Sequence, residues 1–110
     1  MNQTQAISQE KVSSAVHALN GRLDAARVHQ EKNEIVSTLL ALNGDVMLDL
    51  EQVSFIDSTG LGLLVLLKNE LAAKGRKFAL CRVNTKVRML LELTRMHQIF
   101  DIYDTPGAAQ

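Results

Sequence analysis

The chain has 110 residues, 46% of them apolar and 22% charged, which suits one ordinary globular domain with a modest core. Twelve Lys and Arg balance twelve Asp and Glu. That neutrality excludes the basic field on which non-specific nucleic-acid binding and anionic membrane surfaces draw.

The single cysteine, Cys81, has no intramolecular partner, which fits a reducing compartment. Met1 to Gln5 is polar and carries no apolar signal core. The longest apolar stretch, Leu61 to Leu67, is interrupted by Gly62 and is too short to span a bilayer. The expectation is a cytoplasmic protein. Phe55, Phe78, Phe100 and Tyr103 are its only aromatic residues, too few for a platform that stacks bases.

A strand is expected over Ser13 to Leu19, closed by the turn signal Asn20-Gly21, with a weaker strand near Ala6 to Ser8. Asp24 can cap a helix from Ala25 to Leu42, in which Val28, Ile35, Leu39 and Leu42 recur at helical spacing. Asn43-Gly44 supplies its left-handed end. Asp45 to Leu50 alternates as a strand, and Val53, Phe55 and Ile56 extend the apolar path to Asp57-Ser58-Thr59-Gly60.

A second helix is expected from Thr59 to Ala73, closed by Lys74-Gly75. Lys77 to Val83 reads as a strand, Asn84 as the cap of a helix over Thr85 to Leu93, and Ile99 to Tyr103 as a last short strand. Residues 1–104 would form the domain and residues 105–110 a flexible tail. The alternation predicts an α/β fold, helices packed on a mixed sheet of four to five strands. In such sheets ligands sit beyond the carboxyl ends of strands, where the Asp57-Ser58-Thr59-Gly60 turn falls.

Phe55-Ile56-Asp57-Ser58-Thr59-Gly60-Leu61-Gly62 joins strand to helix. Asp57 and Ser58 are both strong N-cap types, so one of them should bond the free helix amides. Gly60 and Gly62 each cost about 1 kcal/mol of helix propensity relative to Ala, which suggests a close approach to that backbone. The leucine run after them covers more than one side of a helix, so part of it must meet a second layer or a partner. His17, His29 and His97 show no ligand spacing, and no cofactor or metal motif is present. No nucleophile elbow, phosphate loop or dinucleotide fingerprint occurs, so an enzyme is not expected.

Asn20-Gly21-Arg22-Leu23-Asp24, Leu48-Asp49-Leu50 and the Asp57-Ser58-Thr59-Gly60-Leu61-Gly62 element together resemble the STAS domain family, and within it the bacterial anti-sigma factor antagonists. The resemblance runs from about Ala15 to Asp104 and implies a single STAS-like domain. It implies partner switching, in which the unphosphorylated protein binds an anti-sigma factor that is itself a GHKL-type serine kinase. Phosphorylation would fall on Ser58, with Thr59 as the second candidate acceptor, and a PP2C-type phosphatase would reverse it. The partner-binding set it implies is Asp24, Asp57, Ser58, Thr59, Gly60, Leu61, Gly62 and Leu63. The alternative is a constitutive STAS adaptor subunit of a membrane-associated complex such as a lipid-transport ATPase. The chain departs from the family where Arg95 stands after the third helix in place of a frequent Gly. A left-handed backbone there would cost on the order of 1 kcal/mol.

Overall fold

The computed structural model describes residues 15–109. They form β1 (Ala15–Leu23), α1 (Ala25–Leu40), β2 (Val46–Ile56), α2 (Ser58–Ala72), β3 (Phe78–Cys81), α3 (Thr85–Leu93) and β4 (Asp101–Tyr103). Short 3-10 turns cover Met96–Gln98 and Pro106–Ala109. The four strands pair in chain order β1-β2-β3-β4, each parallel to its neighbour. The expected strand near Ala6 to Ser8 lies outside the described residues, so the four-stranded part of the α/β expectation is the part seen.

Crossovers between sequential parallel strands are right-handed as a rule, which puts every helix on one face of the sheet. One continuous cluster of buried side chains agrees, drawing Val28, Ile35 and Leu39 from α1, Leu64, Leu67 and Leu71 from α2, and Val87 and Leu91 from α3 against Leu48, Leu50 and Leu80 of the sheet. The leucine run is resolved here. Leu61, Leu63, Leu64, Leu67 and Leu71 are all buried, because α2 is flanked by the sheet and by α1. The second layer that the run required is the domain's own, and only Val65 and Leu66 remain half-buried.

β1 does not stop at Asn20-Gly21 as the turn signal predicted; it runs on to Leu23. The reason lies across the ladder. Ala18 faces Asp49 but Asn20 faces Gln52, and Gly21 faces Val53 but Arg22 faces Phe55, so β2 spends two extra residues. Each extra residue is a bulge that flips the side-chain phase. Those bulges explain why the continuous buried run Val46 to Leu50 gives way to Val53 and Ile56, buried three residues apart. Gly21 takes φ +78°, and the Arg27 side chain from α1 donates to the carbonyls of both Asn20 and Arg22. The exposed bulge is thereby tied to the helix that follows it.

The helix ends follow the sequence with small shifts. Asp24 caps α1 by accepting from the Arg27 amide at 3.0 Å, and Asn84 caps α3 by accepting from Val87 at 3.0 Å. α1 ends at Leu40, two residues before the expected Leu42, and Gly44 and Gly75 take φ +72° and +71°. Arg76 closes the carboxyl end of α1: its guanidinium donates to Leu40, Leu42 and Gly44 carbonyls. A cation at that end also complements the helix dipole.

On the sheet face away from the helices, Asp49 is only 5% exposed. It is held by Arg82 Nε at 3.1 Å and by the Glu51 amide at 3.0 Å. Burial pushes the Asp49 carboxyl up, but the Arg82 hydrogen bond and the Glu51 amide outweigh it and leave it below the ordinary carboxylate value. Cys81 beside it is fully buried, and burial followed by the Asp49 charge raises its thiol. It is a small core side chain, inert as a nucleophile.

Candidate functional site

The site forms where β1 and β2 end together. Leu23 pairs with Ile56, so the two strands deliver Asp24 and Asp57 side by side, each as the N-cap of the next helix. Asp57 does more than cap its own helix. Its Oδ1 accepts from the Gly60 amide at 2.9 Å and its Oδ2 from the Ala25 amide, the first of α1, at 3.0 Å. One carboxylate thus holds two helix N-termini together, where their dipoles favour a negative charge.

Sequence left Asp57 and Ser58 as alternative caps; Asp57 takes the role. Ser58 is the first residue of α2 and is exposed, and no hydrogen bond among the described residues uses its hydroxyl. Thr59 is also exposed and borders a shallow depression lined by Ala25, Ala26, His29, Lys32 and Asn33 of α1. Asp24 lies a short way off, its carboxyl lowered first by the Arg27 amide and then by Arg22, whose Nε is 3.0 Å away.

The two glycines divide in purpose. A Cβ on Gly60 would lie 2.1 Å from the Leu23 carbonyl oxygen, so the close approach expected there is made by the chain's own strand end. A Cβ on Gly62 would meet nothing within 4 Å. Gly62 leaves an exposed, flat spot one turn into α2, with no internal reason for being Gly.

The eight residues of the expected binding set therefore separate. Asp24, Ser58, Thr59 and Gly62 share the surface; Asp57 and Gly60 build it from below. Leu61 and Leu63 do not belong to that surface: both side chains are core. Sequence reasoning missed Arg22, whose guanidinium lies 4.2 Å from the Phe55 ring centroid while pairing with Asp24. No spacing rule marks it, because the contact crosses from β1 to β2. Among the described residues no group of His, Cys, Asp and Glu could hold a metal ion, and no helix is long and apolar enough to cross a membrane.

The STAS domain family model matches residues 5–109, and the chain belongs to that family. It is 36% identical over 59 residues to the anti-sigma F factor antagonist of Paenibacillus polymyxa, a match over 54% of this chain and 50% of that one. The chain thus spans about half the length of that relative. It superposes with TM-score 0.71 and 34% identity on the crystal structure of a candidate anti-sigma factor antagonist from Thermotoga maritima, covering 82% of this chain and 80% of that one. The Bacillus cell fate determinant SpoIIAA in its phosphorylated form shares the fold at TM-score 0.61 and 23% identity, over 87% of each chain.

Proposed function

We propose that this protein is an anti-sigma factor antagonist of a cytoplasmic partner switch, with Ser58 as its phosphorylation site. The observation that carries the reading is that Asp57 caps α2, which leaves the Ser58 hydroxyl exposed and without a hydrogen-bond partner among the described residues. The name borne by its Paenibacillus relative and the phosphorylated state named for SpoIIAA support it. The protein itself catalyses nothing; it binds. Its partner is an anti-sigma factor with GHKL-type serine kinase activity, and a PP2C-type phosphatase restores the binding form.

The contact surface is Asp24, Ser58, Thr59 and the flat spot at Gly62. A phosphoserine adds about −1.5 to −2 charges and three acceptor oxygens. It lands beside Asp57 and near Asp24, already negative. Two unit charges about 4 Å apart repel by about 1 kcal/mol in water and about 4 kcal/mol at an effective dielectric near 20. Each 1.4 kcal/mol is about tenfold in affinity, so one phosphate can lower binding on the order of a hundredfold with no refolding.

The test begins with phosphate mapping by mass spectrometry on protein from its native cells, phosphatases inhibited. The kinase partner is then titrated with Ser58→Ala and Ser58→Asp. The Ala variant should bind as the unmodified protein does and the Asp variant more weakly. Equal binding by both would sink the switch. A phosphate-free protein that co-purifies with a membrane complex would point to the constitutive adaptor instead.

A further inference from the structure

The same tetrapeptide occurs twice in the chain, as Ala18-Leu19-Asn20-Gly21 and as Ala41-Leu42-Asn43-Gly44, and these are the only places where Asn precedes Gly. Asn-Gly is the least hindered setting for an internal reaction, because Gly puts no Cβ beside its own backbone nitrogen. That nitrogen can attack the side-chain carbonyl carbon of the Asn before it. Local sequence gives the two sites the same chemistry, so the fold must separate them. The glycine conformation does not: Gly21 and Gly44 are both left-handed, at φ +78° and +72°.

Asn20 is held. It lies within β1, where Asn20 faces Gln52 and Gly21 faces Val53 across the ladder. Arg27 donates to the Asn20 carbonyl and to that of Arg22, just beyond the glycine. Ring closure must turn the Asn backbone out of its extended conformation, which breaks this pairing. Asn43 stands between α1 and β2, in neither a helix nor a strand, and is exposed. Among the described residues no hydrogen bond takes the Gly44 amide or the Asn43 side chain. The loop is fastened around them instead. Arg76 donates to the Leu42 and Gly44 carbonyls, and the Lys77 amide donates to the Asp45 carboxylate. The nucleophile and its target are left unbonded.

We propose that Asn43 is a site of spontaneous deamidation to aspartate and isoaspartate, while β1 protects Asn20 in the same tetrapeptide. The Gly44 backbone nitrogen gives up its proton and bonds to Asn43 Cγ. The Cγ–Nδ2 bond breaks, and Nδ2 takes a proton and leaves as ammonia. Water then opens the cyclic imide at one of its two carbonyls. Opening at one gives aspartate; opening at the other gives isoaspartate, whose main chain runs through the β-carbon. Either product adds a negative charge to a chain of formal net charge +0. Isoaspartate also lengthens the main chain between Leu42 and Gly44, whose carbonyls Arg76 holds. It makes the chain a substrate for methyltransferases that esterify isoaspartyl carboxyls. The mark falls before β2, whereas Ser58 follows it, so the proposal does not depend on the role given to Ser58.

The test ages the full chain in warm, mildly alkaline buffer, one sample folded and one in urea. Peptide mass spectrometry follows both Asn-Gly pairs, and an isoaspartyl methyltransferase with radiolabelled S-adenosylmethionine probes for isoaspartate. In the folded chain Asn43 should react on the order of tenfold or more faster than Asn20, which must first open β1. In urea the two should react alike, since their local sequences match. Asn43→Gln should remove most of the methyl-accepting signal from the folded chain, because the longer side chain closes the ring poorly. The proposal is overturned if Asn20 keeps pace with Asn43 in the folded chain, or if Asn43 reacts only in urea. A folded Asn43→Gln variant that accepts methyl groups as the parent does would place the reaction elsewhere and overturn it too.

Discussion

The carbonyl oxygen of Leu23 fills the space in which a side chain at Gly60 would begin, 2.1 Å from a Cβ placed there. Gly60→Ala must therefore force the end of β1 away from the first turn of α2. We expect a loss of about 3 kcal/mol, within the range for overpacked cores. Urea denaturation measures it; a midpoint equal to that of the parent would show that the strand end yields freely.

Asp57 and Ser58 should behave oppositely on stability. Asp57→Ala removes the cap of α2 and the acceptor of the first α1 amide, and should cost about 2 kcal/mol, about 1 for each lost bond. Asp57→Asn retains one acceptor oxygen and should fall between. Ser58→Ala should change stability by less than about 0.5 kcal/mol, because its hydroxyl bonds nothing among the described residues. Thermal unfolding of the three variants side by side decides it, and a Ser58→Ala loss as large as that of Asp57→Ala would return the cap to Ser58.

Two arginines hold left-handed backbone, Arg82 at φ 52° and Arg95 at φ 63°. Arg95 is exposed and precedes the 3-10 turn at Met96 with no side-chain cap. Arg95→Gly should stabilise by about 1 kcal/mol. Arg82→Gly relieves the same strain but strips the buried Asp49 of its charged donor, and should destabilise by about 2 kcal/mol net. Opposite signs from two glycine substitutions at like dihedrals are the signature; equal signs would contradict it.

Acid stability should trace the Asp49–Arg82 pair. The folded carboxyl sits below its ordinary value, so on acidification the unfolded chain takes up its proton first. The pair's contribution is full above about pH 4, the unfolded Asp range, and is lost as pH falls through and below it. Asp49→Asn should lower the melting temperature at neutral pH and flatten its fall between about pH 5 and pH 2. A parent and variant with parallel acid limbs would assign the acid loss elsewhere.

Much of the fold was legible because its signals are local. Asp24 and Asn84 announced their caps, and the left-handed Arg95 followed from the family resemblance. The bulges in β2 were not legible: Glu51 and Ser54 look like breaks in alternation until β1 is set beside them. The Asp57–Ala25 bond spans 32 positions, and the Arg76 bonds to the end of α1 span 32 to 36, distances over which no periodicity speaks. The leucine run left open whether a second layer or a partner covers it. Its excess apolar surface was real, but α1 covers it, and the surplus that stays in the open belongs to α3.

Under the proposed switch, the division of labour between Asp57 and Ser58 separates the message from the machinery. A residue that carries a signal and also supports the fold cannot be lost without losing the protein. In the proposed switch the regulated position is one whose hydroxyl bonds nothing among the described residues, so one substitution at Ser58 would abandon control and keep the domain. Switches and permanent adaptors built on this scaffold are then neighbours in sequence space, one step apart.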